Sequence, residues 1–345
     1  MDSTIFLLLA QDAMTNGAIY ILLALATILI FGVTRIIFIP QGEFVAFGTL
    51  TLATLQVGKV PGTVWLVAAL AVVAAVMEAY RLLRMGVSRE IPAAVARTLA
   101  PPLVVSGIVY VCAPLNLNLG WQVLLTIMLV TTLGPLVYRV AFRPIADTSV
   151  LNLLIAAVAV HFALVGLALL FFGAEGFRTP AFSEAQIPLG VLTVSGQSIW
   201  VYVMSIAFIG LLAYFFGRTM YGKALRAVAF NRNGARLVGI SPSLAGTLAF
   251  ALAALIGCLS GILIGPITTI YYDSGFLIGL KGFASAIVGG LASYPMAAGG
   301  ALLVGITESY SSFWLSAYKD VVVFTLIIPV LLWLSLRSVH FEEEE

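Results

Sequence analysis

Apolar runs of bilayer length recur along this chain, and they constrain its fold more than any other feature. Separated by polar breaks, they lie at about 17–34, 42–57, 63–80, 98–114, 121–139, 150–172, 197–217, 244–265, 277–291, 296–312 and 320–337. A transmembrane helix needs about 20 predominantly apolar residues, and of the 345 residues 61% are hydrophobic and 9% are charged. The runs therefore predict an all-α polytopic membrane protein, a single transmembrane domain over residues 1–345 with roughly 9–11 transmembrane or re-entrant helices.

The distribution of basic residues predicts how the chain is oriented. If the polar segment 221–240 is cytoplasmic, strict alternation of the runs places thirteen Lys and Arg residues on that side. Only Lys59, Arg178, Lys281 and Lys319 fall on the opposite side. Because cytoplasmic loops of membrane proteins are rich in Lys and Arg, we expect the N-terminus outside and the C-terminus in the cytoplasm.

The second and the ninth apolar runs are short for a bilayer crossing, and each adjoins helix-breaking residues. Pro40 and Gly42 lie at the start of the second run, and Gly275 and Gly279 lie at the start of the ninth. A bilayer tolerates interrupted helices where their backbone is buried in protein or lines a cavity. The breaks predict broken or re-entrant helices, which either border a solute path or only kink packed helices.

Polar residues inside the apolar runs are candidates for lining a solute path. Gln41, Gly42 and Glu43 lie at the first break, and Glu308 lies late in the tenth run. An ionisable group within a span is costly and usually faces the protein interior or water. For Glu308 a structural or interhelical hydrogen-bonding role is the favoured interpretation. His161 is interpreted as a satisfied packing residue of its apolar segment rather than a proton relay.

Glycines recur every four residues in the eighth run, at Gly257, Gly261 and Gly265. One face of that helix is nearly free of side chains, which lets a neighbouring helix approach closely. Close packing is the favoured interpretation. A narrow wall of the solute path, formed by Gly257 and Gly261, is the functional alternative.

The segment 221–240 is a polar and basic island between long apolar runs. Residues 222–230 carry Ala, Leu and Val at helical spacing, NRNG supplies a turn at 231–234, and ARLVG restarts a short helix. The pattern predicts two short helices at the membrane surface. Such helices either rest on anionic lipid or seat an apolar face in a groove of a soluble partner.

Residues of this island, together with motifs elsewhere, resemble a known family. Gly222, Arg226, Ala235, Gly239 and Ile240 are similar to the pattern G-[RK]-A-x-R-A…A-x-x-x-G-I of the coupling loop in LivH-type permeases of branched-chain amino acid ABC importers. The other motifs that resemble this family are, in chain order, QGEF at 41–44, YRVAFRP at 138–144, GLKGFASAIVGGLASYP at 279–295 and YKDVVVF at 318–324. Because these motifs are collinear along most of the chain, it is identified as a member of that family.

The resemblance implies a permease subunit of an ABC importer, with broken helices, and no enzyme. Its expected partners are two ATPase subunits, a second related permease, a periplasmic solute-binding protein and the lipid bilayer of a bacterial or archaeal cytoplasmic membrane, with no nucleic acid. ATP and Mg²⁺ belong to the ATPase subunits, and no catalytic residue, cofactor or metal site is expected in this chain, which has no G-x-x-x-x-G-K-[ST] phosphate loop. The residues that the resemblance assigns to ATPase coupling are Gly222, Lys223, Arg226, Asn231, Gly234, Ala235, Leu237, Gly239 and Ile240.

Three segments receive separate expectations. Residues 77–121 are expected to form an extra helical hairpin relative to the family. Residues 173–196 are expected to form a periplasmic loop with a strand-like VLTV, and residues 221–240 the cytoplasmic coupling loop.

The solute is the least determined feature of the sequence. In the family's N-F-A-H-G-E segment, Phe38 and Gln41 replace the usual Asn and His, and Pro40 replaces a small residue. The preferred function is alternating-access import of branched-chain or related small amino acids. The alternatives are a same-family importer of urea, amides or aromatic or carboxylic acids, a secondary transporter, and a membrane scaffold without transport. The scarcity of carboxylates inside the spans weighs against a secondary transporter.

Overall fold

The computed structural model describes residues 3–189, 192–291 and 293–342. The remaining positions lie outside the described residues. All of them belong to the predicted domain 1–345, and some also belong to the predicted loop 173–196 and to the motif at 279–295. Numbered in chain order, the α-helices are α1 (Ser3–Thr34), α2 (Glu43–Gln56), α3 (Thr63–Arg84), α4 (Ile91–Cys112), α5 (Leu119–Val137), α6 (Val150–Phe172), α7 (Gly196–Arg218), α8 (Met220–Phe230), α9 (Arg232–Leu237), α10 (Pro242–Ile264), α11 (Ser274–Val288), α12 (Tyr294–Trp314), α13 (Lys319–Thr325) and α14 (Ile327–Glu342). Two strands, β1 (Gln186–Leu189) and β2 (Leu192–Ser195), precede α7.

The predicted all-α polytopic architecture is confirmed. Each of the eleven apolar runs overlaps a helix, and within the described ranges eight helical stretches are long and apolar enough to cross a membrane. The helices α2, with 14 residues, and α11, with 15, are shorter, as expected for broken helices. The largest boundary error concerns α1, which begins at Ser3 rather than at residue 17. Asp12 and Asn16 interrupt its apolar pattern without ending the helix, because both line a cavity.

The helices run between two ends of the molecule, which we name by what lies there. Early α1, the β1–β2 hairpin and late α12 surround a cavity at the hairpin end. Late α1, α8 and the first residue of α12 surround a second cavity at the α8–α9 end. Helix α1 thus runs from the hairpin end to the α8–α9 end and α12 runs back, as the predicted alternation of the apolar runs requires. That the α8–α9 end faces the cytoplasm stays a prediction.

A small antiparallel hairpin closes over the hairpin end. Gln186 pairs with Ser195 and Ile187 with Val194, so most of the predicted strand-like stretch is a strand. The preceding loop is tied to the chain after α10, because the Arg178 guanidinium donates hydrogen bonds to two backbone carbonyls there. The predicted loop 173–196 is therefore an ordered cover, as far as its described residues reach.

Aromatic side chains pack around the non-helical backbone that leads into α2. The Phe38 ring lies 5.7 Å from that of Phe44, 5.7 Å from Phe142 and 4.8 Å from Phe250, between ring centroids. Phe38 belongs to the segment between α1 and α2, and it is fully buried. Since non-helical backbone at membrane depth must be buried in protein or line a cavity, this cluster gives a structural role to the Phe that replaces the family's Asn.

Side-chain caps set the two short helices of the island. The Thr219 hydroxyl accepts a hydrogen bond from the Gly222 amide at 3.0 Å, and the Asn231 side chain accepts one from the Gly234 amide at 2.8 Å. Asn and Thr at such positions satisfy amides that a helix start leaves unpaired. The two predicted helices are confirmed as α8 and α9. The predicted turn is shorter than NRNG, because Asn231 caps α9 directly.

The segment 77–121 contains the end of α3, all of α4 and the start of α5. Helices α3 and α4 pack against each other, and α4 keeps most of its side chains exposed. Among these positions, all of which are described, α4 is the one complete α-helix, and its partner α3 begins earlier, at Thr63. That the pair is an addition relative to the family stays a prediction.

Candidate functional site

A cavity of about 1240 Å³ opens at the hairpin end and enters the helix bundle. Its wall includes α1 from Leu9 to Tyr20, which spans about 16 Å at the rise of an α-helix. Tyr20 lies near the middle of α1, and Lys281, also on the wall, lies in the middle of α11. The cavity therefore reaches about half the depth of the bundle.

The floor of this cavity is an ion cluster built from three helices. Lys281 Nζ on α11 contacts Glu308 Oε1 on α12 and lies 3.0 Å from Asp320 Oδ1 on α13. The Tyr20 hydroxyl on α1 donates a 2.5 Å hydrogen bond to Glu308 Oε2. All four side chains line the cavity. Two carboxylates thus share one ammonium group at membrane depth.

The ion cluster corrects two sequence predictions. Lys281, counted among the basic residues on the outer side, is buried within α11, because Glu308 and Asp320 compensate its charge there. Asp320 adds a third carboxylate to Glu43 and Glu308, which the sequence itself places at the apolar runs. The few carboxylates at membrane depth therefore weigh less against a secondary transporter.

Glu308 has the interhelical hydrogen-bonding role that the sequence favoured. Its two oxygens hold together α1, α11 and α12. Its side chain also lines the cavity, which is compatible with the predicted place on a solute path. Nothing in the sequence paired it with Lys281. A signal was present, however, because a buried Lys in an apolar run needs a carboxylate partner.

The two predicted helix breaks meet each other inside the molecule. A Cβ on Gly42 would lie 1.8 Å from the Gly275 carbonyl oxygen and 2.7 Å from the Gly279 nitrogen. The backbone of the segment before α2 thus touches the first turns of α11, and only glycine permits that approach. The broken helices are confirmed, and their amino-terminal ends lie against each other.

Polar side chains at this crossing are buried in packed protein. Gln41 Nε2 donates a 3.0 Å hydrogen bond to the Ala253 carbonyl on α10. Glu43 Oε1 lies 2.9 Å from His161 Nδ1 on α6, while Glu43 Oε2 is buried and accepts no hydrogen bond. His161, interpreted as a satisfied packing residue, packs its ring against Phe276, and its hydrogen-bond partner is this buried carboxylate. The placement of Gln41, Gly42 and Glu43 on a solute path stays a prediction.

The glycine face of α10 packs closely against α2. A Cβ on Gly257 would lie 2.6 Å from Phe44 Cβ, and one on Gly261 would lie 2.1 Å from the Val45 carbonyl oxygen. Thr49 on α2 donates a 2.7 Å hydrogen bond to the Gly261 carbonyl. The close-packing interpretation is confirmed. The alternative role of Gly257 and Gly261 as a wall of the path stays a prediction.

The helices α8 and α9 turn an apolar face inward and leave other apolar side chains uncovered. Leu225 and Val228 are buried against α1 and α10. Phe230, Leu237 and Val238, in contrast, are 94%, 89% and 74% exposed at the junction and end of the two helices. Exposed apolar side chains grouped in this way mark an interaction surface.

The coupling residues assigned by resemblance divide into anchors and exposed groups. Gly222 and Ala235 are buried, and a Cβ on Gly222 would lie 2.2 Å from the Phe215 carbonyl. Gly234 carries the capped amide, and Gly239 has a positive φ of 83° that ends the loop. Exposed positions are Lys223, Arg226, Asn231, Leu237 and Gly239, and Ile240 is half-buried.

A basic contact fastens this surface to the neighbouring loop. Arg232 and Arg236 on α9 lie 3.2 Å and 3.7 Å from Asp147 Oδ1, which precedes α6. Arg232 also donates a hydrogen bond to the Ala146 carbonyl. The orientation of α9 is therefore set by the segment that follows α5, a contact that the sequence did not indicate.

A second cavity of about 480 Å³ lies above α8 at the opposite end, lined by residues such as Ile28, Arg226 and Tyr294. A packed layer separates it from the ion cluster. In this layer Leu23 is fully buried, and a Cβ on Gly282 would lie 2.4 Å from Leu23 Cβ. The two cavities thus face opposite ends and do not meet through this layer.

Comparison with known proteins agrees with the architecture. The family described as branched-chain amino acid transport system / permease component matches residues 93–331. The high-affinity branched-chain amino acid transport system permease protein LivH of Escherichia coli K12 is 31% identical over 234 residues, which cover 63% of this chain and 75% of that protein. The permease protein BraD of Pseudomonas aeruginosa is 29% identical over 215 residues, covering 60% and 70%. No solved structure matches this chain.

Proposed function

The chain belongs to the permease-component family of branched-chain amino acid transport systems, and from that premise we propose that it is the membrane subunit of an ATP-driven importer of branched-chain or related small amino acids. The observation that carries the proposal is the cavity that enters from the hairpin end and stops at the ion cluster of Lys281, Glu308 and Asp320. A charged group at membrane depth that faces a cavity is typical of a transport site.

Alternating access accounts for the two cavities at opposite ends. The packed layer of Leu23 and Gly282 separates them, so a rearrangement there would close one side as it opens the other. Such a change requires a ligand or partner that binds the two states unequally. In an importer the hairpin end faces the periplasm and receives the solute. The N-terminus is then outside and the C-terminus in the cytoplasm.

The exposed apolar surface of α8 and α9 supports docking of ATPase subunits at the other end. Phe230 and Leu237 can act as anchors in a groove, and exposed Lys223 and Arg226 add charge around them. We assign ATP and Mg²⁺ to those subunits. A second related permease completes the membrane part, and a periplasmic solute-binding protein docks over the hairpin end.

Transport by the purified complex tests this function. The tagged chain is purified in mild detergent with its copurifying subunits and reconstituted into proteoliposomes with the solute-binding protein. We expect leucine uptake that requires ATP on the side of the membrane where α8 and α9 lie. This uptake should persist when the proton and sodium gradients are collapsed. Uptake driven by an ion gradient without ATP would identify a secondary transporter and overturn the proposal.

A further inference from the structure

The ion cluster on the cavity floor has one more carboxylate than ammonium groups; Lys319 also lines the cavity but forms no ion pair within the described residues. Among the described residues, the cluster joins the carboxylates of Glu308 and Asp320 to one ammonium group, that of Lys281. Both oxygens of Glu308 are occupied, one by Lys281 and the other by Tyr20. The excess negative charge therefore belongs to Asp320.

Asp320 is also the member of the cluster that a solute can reach. Its side chain is 34% exposed on the cavity wall, against 7% for Lys281 and 10% for Glu308. Within the described residues Lys281 is its ion-pair partner through Oδ1, which is itself buried. The other carboxylate oxygen, Oδ2, is the acceptor that a donor from the cavity would satisfy.

From this geometry we propose, as a deepening of the importer function on which it rests, that Asp320 binds the ammonium group of the transported solute. An ammonium group brings the floor to two positive and two negative charges, whereas a carboxylate solute without an amine increases the imbalance. Buried charge is strongly disfavoured unless it is compensated. The site therefore favours solutes that carry an ammonium group over urea, neutral amides and carboxylic acids. The carboxylate of an amino acid is compensated separately, with Lys319 on the cavity lining as the available cation.

A metal ion fits the same place less well. Divalent cations such as Ca²⁺ and Mg²⁺ require about six oxygen ligands, and the oxygens of Glu308 are already engaged. A primary ammonium has three donors. It needs fewer protein ligands than a divalent cation, and Ser309 and Ser312 also contribute hydroxyl groups to the cavity lining.

Ligand-dependent thermal stability of the purified full-length chain tests the inference without any partner subunit. Leucinamide and 4-methylpentanamide share the same skeleton and differ in the ammonium group. Because a ligand that binds only the folded state stabilises it, leucinamide should raise the unfolding midpoint in a concentration-dependent manner, and the neutral amide should not. Asp320→Asn should lose the shift, and Asp320→Glu should retain part of it. Glu184→Gln, which alters another cavity carboxylate, should leave the shift unchanged.

Other outcomes overturn the inference. Equal shifts from both amides, no shift from leucinamide, a shift only from 4-methyl-2-oxopentanoate, or an unchanged shift in Asp320→Asn would each exclude Asp320 as the ammonium site. In the reconstituted complex, Asp320→Asn should lower leucine uptake about tenfold or more, the effect of losing one charge-assisted hydrogen bond. If the wild-type complex transports leucine and the Asp320→Asn variant does so equally well, the inference is refuted and the importer proposal stands. If the wild-type complex shows no ATP-driven uptake, the importer proposal is refuted.

Discussion

At the scale of single residues, Lys281 stabilises the ion cluster at the cavity floor. It is the shared cation for Glu308 and Asp320. Removing one partner of a buried ion pair leaves an uncompensated charge, which costs about 3–5 kcal/mol. The cluster is therefore asymmetric: loss of Asp320 leaves a neutral pair, and loss of Lys281 leaves two carboxylates.

This asymmetry gives a prediction about stability. Lys281→Met should lower the free energy of unfolding by about 3–5 kcal/mol, while Asp320→Asn should change it by less than about 1 kcal/mol, because the Lys281–Glu308 pair remains. Thermal unfolding in detergent measures both. The double variant Lys281→Met with Glu308→Gln should be more stable than Lys281→Met alone. Equal losses for Lys281→Met and Asp320→Asn would contradict the proposed charge balance.

At the scale of elements, the contact between the two broken helices depends on backbone proximity. The segment before α2 and the start of α11 touch through Gly42, Gly275 and Gly279. Neighbouring side chains stabilise the break without filling that contact: Gln41 binds α10, and Glu43 binds α6. The crossing is thus a rigid centre around which longer helices pack.

Replacing Gly42 by alanine should disrupt the contact between the segment before α2 and α11. In Gly42→Ala the new methyl group lies 1.8 Å from a backbone oxygen of α11, so the two half-helices must separate. We expect a loss of about 3 kcal/mol or more, at the upper end of overpacking effects, measured as a lower unfolding midpoint and yield. Gly107→Ala on α4 is the matched control, because no atom lies within 4 Å of its added Cβ. A Gly42→Ala protein as stable as this control would disprove the close contact.

At the scale of the whole molecule, the two ends of the bundle present different chemistry. The hairpin end holds a polar cavity, while the α8–α9 end exposes Phe230 and Leu237. The second surface is fixed to the bundle by Gly222 against α7 and by the contacts of Asp147 with α9. A force applied to α8 and α9 would therefore be transmitted to the membrane helices.

Docking at this surface should be separable from folding. Arg226→Glu reverses an exposed charge, and Gly234→Pro removes the amide that Asn231 caps, which costs about 1 kcal/mol. The double variant should remain folded and lose copurifying ATPase. Copurified ATPase is quantified against the permease by mass spectrometry, and Arg89→Glu in the exposed α3–α4 loop serves as the charge control. Undiminished ATPase recovery in the double variant would refute the coupling assignment.

Local sequence was sufficient to locate most helices of this protein, although not the start of α1. Runs of apolar residues fix where helices cross a bilayer, since backbone groups in lipid must be paired within each helix. Pro40, Gly42, Gly275 and Gly279 marked the two breaks, and Thr219 and Asn231 supplied the caps of the short helices. Each of these residues affects the backbone only within a few positions of itself.

The tertiary structure alone decided which of these elements meet, and with them the candidate site. Lys281 and Glu308 are 27 residues apart, and Glu43 and His161 are 118 apart. The partner of a buried charge depends on how helices pack, and hydropathy carries no information about that packing. For the same reason the sequence did not identify Glu308 as the partner of Lys281 or Glu43 as the partner of His161. The elements were determined by the local balance of apolar and polar residues, and the cavity floor by the compensation of charges brought together from distant helices.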